Sequence, residues 1–209
     1  MERLLEKTAF AAGITAVIYL ILFLLFDKRI DLWVHHTWAN TRVFGLATSI
    51  SYAATGPFIK LAIAICLILI VAVDPGMERR WTRGLLYICV SCSMAIILGE
   101  GLKYLLGRHR PIMLLEHEQY GLKFFSSEWA VNSSPSGHTL RAFSILTALS
   151  LLFRRFTPLF IFMALLVGAS RVFVTAHYPS DVVFGAFIGI FSAIWTSHYF
   201  FGPGNKRSK

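Results

Sequence analysis

The sequence predicts an all-α polytopic membrane protein. One domain spans 1–209, with six transmembrane helices and short interfacial helices in the outer-side connectors. Two observations carry this. Hydrophobic residues make up 56% of the 209-residue chain and the mean hydropathy is +0.64, too apolar for an ordinary soluble domain. Several runs free of charge also approach the about 20 residues that cross a bilayer.

The first span, 8–26, reads TAFAAGITAVIYLILFLLF and stops at DKR with no small-residue cleavage signal. It is therefore expected to be an anchor helix, not a removed signal peptide. Connector 27–56 is amphipathic, with Trp33, Trp38 and Phe44 among polar residues, and suits one or two helices in the interface. His35 and His36 are read as interfacial. The remaining spans are 57–73, 84–106, 138–153, 157–175 and 182–201. The third and fourth carry ionisable residues at one end. Cys66, Cys89 and Cys92 all lie in apolar runs and read as small buried hydrophobes. The C-x-x-C of Cys89 and Cys92 then marks one helix face rather than a redox or zinc site.

A net charge of +9 allows nucleic acid, an anionic surface or an anionic substrate as partner. No basic, aromatic-interleaved soluble segment exists, so no nucleic-acid partner is expected. With the N-terminus inside, the cytoplasmic pieces 1–7, 74–83, 154–156 and 202–209 hold ten of the twenty Lys and Arg, including Lys206, Arg207 and Lys209. That density favours cytoplasmic N- and C-termini. Connectors 107–137 and 176–181 then open on the outer face.

Three polar clusters sit in or beside those connectors. KYLLGRHRP carries Lys103, Arg108, Arg110 and Pro111. Lys103 and Arg110 are seven apart, two helical turns. Basic residues at helix ends also snorkel to headgroups. PSGH, residues 135–138, places Ser136 and Gly137 at the start of the fourth span. Free N–H groups, a hydroxyl and a close-approach glycine make a phosphate cradle. A plain Ser N-cap beside an incidental His138 is the simpler alternative. SRVFVTAHYPSD holds Arg171, His177 and Asp181. A carboxylate four residues from an imidazole can fix its tautomer, although Arg171 and Asp181 could instead form a structural pair. Taken together, the cations can neutralise a dianion, and the two histidines supply a nucleophile and an acid.

In order and internal spacing, these clusters resemble the signature of the type-2 phosphatidic acid phosphatase superfamily, K-x6-RP, PSGH and SR-x5-H-x3-D. The match covers residues 103–181 with no departure at a signature position. The resemblance implies His177 as nucleophile through a phosphohistidine intermediate, Asp181 as its orienting partner and His138 as general acid, then base. It implies Lys103, Arg110, Ser136, Gly137 and Arg171 as holders of the phosphate oxygens. It implies no metal and no other cofactor, agreeing with the few carboxylates expected on the outer face. It implies a phosphorylated lipid as substrate, with no obligate protein partner evident, and a bacterial inner membrane location with the site facing the periplasm.

Arg108, His109 and Arg141 lie near the cradle and read equally as headgroup contacts or as rim charges on anionic lipid. Glu100 is expected to pair with Lys103, one helical turn away. Glu116, His117 and Glu118 are adjacent and cannot readily converge on one ion. Phe124, Phe125 and Trp129 are expected in the interface near the substrate's path. Within the resembled class the substrate could be undecaprenyl diphosphate, phosphatidylglycerol phosphate, phosphatidic acid or the 1-phosphate of lipid A. The 23-residue gap between Pro111 and Pro135 leans towards the last. A non-catalytic lipid binder or transporter is the alternative. It has no need of His138, His177 and Asp181 together. The haloperoxidases that share the signature are soluble.

Overall fold

A computed structural model describes residues 1–39, 41–53 and 55–201, and among these every regular element is helical. Helix α1 (Glu2–Ile21) passes through a wider π-helical segment, Leu22–Phe26, directly into α2 (Asp27–Trp38). Then come α3 (Arg42–Ala53), α4 (Gly56–Val73), α5 (Arg80–Leu106), the short α6 (Pro111–His117), α7 (Gly137–Leu152), α8 (Thr157–Phe173) and α9 (Pro179–Phe201).

Among the described residues, five stretches are long and apolar enough to cross a membrane: Glu2–Trp38, Arg42–Val73, Arg80–Leu106, Arg154–Phe173 and Pro179–Phe201. The sequence reading anticipated six. Its fourth span, 138–153, forms as α7 with 16 residues, about 24 Å of helix at 1.5 Å per residue. That is short against a hydrocarbon core of roughly 30 Å. Lys206, Arg207 and Lys209, used in the orientation argument, lie outside the described residues. Helix α1 buries none of its side chains. Phe10, Val17, Leu20 and Leu24 all face outwards, a surface suited to lipid and costly in water.

Helix α7 is the centre of the bundle, packed against α5, α8 and α9. Small residues make this possible. Gly185 and Gly189 on α9 form a G-x-x-x-G step that lets two backbones approach closely. A Cβ at Gly189 would stand 2.5 Å from Leu140 O and 2.8 Å from Ser144 N. One at Gly185 would stand 2.8 Å from Ser136 O. The apolar core follows the same contacts, with Ala95, Leu140 and Ile188 in one cluster and Tyr87, Ala148 and Ala193 in another.

Side chains set where α5 starts, and a backbone turn sets where it stops. Asp74 accepts from the Glu78 and Arg79 amides at 3.0 and 2.9 Å, just before the helix, and from Thr82 Oγ1 in its first turn at 2.5 Å, which fixes the turn that leads into α5. At the other end Gly107 turns left-handed, φ 53°, as helix termini commonly do. A Cβ there would collide with the Lys123 carbonyl, so the 107–123 loop closes only over glycine.

Connector 27–56 does form two helices. The buried face of α2 is acidic, however: Asp27, Asp31 and Val34 point inwards while Trp33 is exposed. For Asp27 the cause is a cation from elsewhere in the chain, described below, whereas neither carboxylate oxygen of Asp31 has a hydrogen-bond partner among the described residues.

Candidate active site

Because chain direction alternates, the end of α5, the start of α7, the end of α8 and the start of α9 meet at one end of the bundle. They enclose a cavity of about 430 Å³. Lys103, Arg110, Gly137, His138, Arg141, Arg171 and His177 line it, with Ile112, Trp129 and the turn Val174, Thr175 and Ala176. Among these described residues are four cations and no carboxylate. Low-dielectric walls of one charge sign concentrate an anion.

Each cation is held in its own way. Lys103 Nζ pairs with Glu100 Oε1 at 2.8 Å, the partnership expected from their spacing. Arg110 donates to three backbone carbonyls: Trp129 O at 2.9 Å, Asn132 O at 3.2 Å and Ala176 O at 3.4 Å. Its guanidinium also lies 4.6 Å from the Trp129 ring centre. Arg171 donates to Ser51 Oγ on α3, so the alternative pair with Asp181 does not form. Gly137 admits the cations to the start of α7, since a Cβ there would meet Lys103 Nζ at 3.1 Å and Arg141 NH1 at 3.3 Å.

Behind the cavity, His177 is 2% exposed and Asp181 fully buried. His177 Nδ1 lies 3.7 Å from Asp181 Oδ2, too long for a direct hydrogen bond. The Ser133 hydroxyl bridges them, donating to Asp181 Oδ2 at 2.6 Å and standing 3.4 Å from His177 Nδ1. Catalytic contacts are often long before a ligand binds. With Nδ1 turned to Asp181, Nε2 is the nitrogen left for the cavity. Burial lowers the His177 pKa to about 3. Contact with Asp181 pulls it up, and Arg110 and Arg171 push it down again. The ring is therefore neutral at physiological pH, as a nucleophile must be.

Three sequence readings need correction. Arg108 is no headgroup contact. It is fully buried, with NH2 2.6 Å from Asp27 Oδ2 and NH1 2.5 Å from Asp181 Oδ1. Burial opposes its charge, but Asp181, Tyr19 and Asp27 outweigh that and raise its pKa. His109 faces the 107–123 loop, Nδ1 3.3 Å from Gly121 O, and does not line the cavity. Ser136 occupies the N-cap position of α7 but makes no side-chain cap bond. Its hydroxyl is buried and accepts from Thr139 Oγ1 at 3.0 Å, while its amide donates to Asp181 O at 3.0 Å. Arg141, by contrast, does line the cavity. Trp129 does too, whereas Phe124 and Phe125 are exposed on the loop.

Sequence reasoning missed Ser133, Ser51 and Asp27. The first had a signal, a Ser pair directly before PSGH, and Asp27 had one in being an acid at the end of an apolar run. No feature of the sequence pointed to Ser51. Among the described residues no group of three or more His, Cys, Asp or Glu is gathered to hold a metal ion, and Cys66, Cys89 and Cys92 are free thiols.

A bundle of lipid-facing helices with a cation-lined cavity at one end, and a carboxylate-backed imidazole in its wall, defines a helical membrane protein with a site suited to an anion. The sequence profile of the PAP2 superfamily matches residues 84–204, and the chain belongs to that superfamily. It is 38% identical over 109 residues to the lipid A 1-phosphatase of Rhizobium etli, a match covering 52% of this chain and 47% of that one. The chain spans about half the length of the curated relatives it matches. Its fold is similar to the first transmembrane PAP2-type phosphatidylglycerolphosphate phosphatase from Bacillus subtilis, with a TM-score of 0.67, 18% identity and coverage of 92% of this chain and 95% of that one. It is also similar to Aquifex aeolicus LpxE, with a TM-score of 0.61, 22% identity and coverage of 83% and 95%.

Proposed function

We propose that the protein is an integral-membrane lipid phosphatase that hydrolyses a phosphomonoester or diphosphate on a lipid headgroup at the outer face. The observation that carries this reading is that His138 and His177 line one cavity with Lys103, Arg110, Arg141 and Arg171. Helix α7 completes the sixth crossing, its 16 residues sheltered by the helices around it. The termini are cytoplasmic and the cavity opens on the periplasmic side of a bacterial inner membrane.

In this mechanism Lys103, Arg110, Arg171 and the Gly137 amide hold the phosphate oxygens, and the cations stabilise the charge that builds in the transition state. His177 Nε2 attacks phosphorus. The bond to the leaving oxygen breaks and His138 gives that oxygen its proton. Asp181 steadies the Nδ1 proton and the positive charge on the His177 ring. His138 then takes a proton from water, which attacks the phosphohistidine, frees phosphate and restores His177. Arg141 reaches beyond the transferred phosphate to the headgroup. Likeness to lipid A 1-phosphatases favours a phosphorylated sugar headgroup among the candidates.

The test is phosphate release from a panel of detergent-solubilised phospholipids, lipid A and polyprenyl diphosphate. Wild type releases phosphate from at least one, and His177→Ala abolishes this while lipid binding persists. Lipid binding without release by wild type would favour the non-catalytic binder.

A further inference from the structure

We propose that Asp27, outside every signature motif, is a positioning residue for the nucleophile: through Arg108 it fixes where Asp181 stands behind His177. This rests on the reading of His177 as the attacking group.

The geometry is a continuous buried chain. Asp27 and Asp181 are both 0% exposed, and Arg108 between them is 0% exposed as well. One guanidinium nitrogen, NH2, meets Asp27 Oδ2 at 2.6 Å. The other, NH1, meets Asp181 Oδ1 at 2.5 Å and Ser180 Oγ at 2.5 Å. Ser180 closes the loop. Its hydroxyl donates to Asp27 Oδ2 and its amide to Asp27 Oδ1, the latter at 3.2 Å. Since Ser180 and Asp181 are neighbours at the start of α9, Asp27 holds that helix end twice, directly and through Arg108. A planar fork that meets two carboxylates at once has little freedom to turn. Rings confine it further, with Tyr178 and Phe23 at 4.4 and 4.8 Å from the guanidinium carbon.

The π-helical segment is what presents Asp27. It inserts an extra residue per turn just before α2, which shifts the face on which later side chains emerge. Tyr120 locks the joint, donating to Phe23 O at 2.5 Å and accepting from Arg108 NH2 at 3.1 Å.

The charges also suit the chemistry. Two carboxylates and one guanidinium sum to one negative charge directly behind His177. As Nε2 bonds phosphorus and the leaving oxygen departs with the proton from His138, the His177 ring becomes positive. Asp27 partly cancels the Arg108 charge, so Asp181 keeps its full attraction for that ring. An uncompensated Arg108 would weaken it, because buried charges are poorly screened.

Asp27→Asn keeps the shape and removes the charge. The expected result is a fall in kcat of about tenfold, the scale seen when a group that orients an active-site ligand is lost. The inhibition constant for inorganic phosphate, which probes the cavity without forming a bond to His177, should stay within about twofold of wild type. Unchanged kcat would overturn the proposal. So would a loss of inorganic phosphate affinity equal to the loss in kcat, since that describes general damage. Ser180→Ala is the second variant should Asp27→Asn fail to fold. It removes the bridging hydroxyl and should show the same split, with a smaller fall of about threefold. An unaltered kcat there would overturn the proposal equally. His177→Ala runs alongside: if it still turns over, the nucleophile assignment fails, whatever Asp27 does.

Discussion

The Ser136 amide donates to the Asp181 carbonyl across 3.0 Å, and that bond ties the start of α7 to the start of α9. It brings His138 and His177 to the same cavity although they are far apart in the chain. The bond exists because Gly185 and Gly189 allow the two helices to touch along their backbones. Gly189→Leu should therefore separate them. Overpacking of this kind costs about 1–3 kcal/mol, and here it also parts the site. The expected outcome is a lowered melting temperature in detergent with a larger proportional loss of phosphate release.

His138 and His177 should be separable by leaving group. His177→Ala should lower turnover by about 10⁶-fold on any substrate, as loss of a nucleophile or its base does elsewhere. His138→Ala should be nearly as severe on a lipid phosphate, whose alkoxide needs a proton. On an aryl phosphate with a good leaving group, His138→Ala should still form phosphoenzyme, visible by phosphohistidine blotting after a rapid quench. Equal loss on both substrates would remove His138 from the acid role.

Ser133 links His177 Nδ1 and Asp181 Oδ2, which otherwise stand 3.7 Å apart. Ser133→Ala should leave KM unchanged and lower kcat by about tenfold, because it disturbs orientation without touching the phosphate cavity. Steady-state kinetics on a soluble short-chain substrate measures both constants.

The depressed His177 pKa has a sign that can be checked. Folded, the group titrates at about 3. Unfolded, it titrates near 6.5. Below about pH 6.5 the unfolded chain takes up a proton that the folded chain refuses, so stability falls as pH drops towards 3. Between pH 6.5 and 5 the loss is about 2 kcal/mol, and above about pH 6.5 this contribution is flat. His177→Gln should lose less stability than wild type between pH 7.5 and 5, as read from thermal unfolding in detergent.

Gly107 tests how the loop over the site is closed. Its left-handed φ of 53° and the Lys123 carbonyl leave no room for a side chain. Gly107→Ala should displace the 107–123 loop, and with it Arg110. The expected reading is a raised KM and weaker vanadate inhibition, by about tenfold, the cost of roughly one lost charged hydrogen bond.

The membrane-embedded class, the gathering of Lys103, Arg110, Gly137, His138 and Arg171 around one cavity, and the nearness of His177 to Asp181 were legible because each rests on local information. Hydropathy runs mark apolar helices, and alternating chain direction carries residues at successive helix ends to one side. Arg108 was not legible. Its neighbours Gly107 and His109 say nothing of Asp27, 81 positions away, and a buried charge is decided by whichever partner arrives. Ser136 was misjudged for the same reason. The sequence offered it as a holder of phosphate oxygens or as a plain helix cap, but its amide is taken by α9 and its hydroxyl turns inwards to Thr139.

The chain alone therefore determined what kind of solvent surrounds this protein and which polar clusters gather at one end of it, since apolar length and motif spacing are written along the backbone. The tertiary structure alone decided which of the many cations faces the cavity and which is sealed behind it. It also decided that Asp27, at the start of α2, meets the buried Arg108. The reason is physical: a charge can be buried only where an opposite charge meets it, and that meeting depends on helices far apart in sequence packing at one end of the bundle.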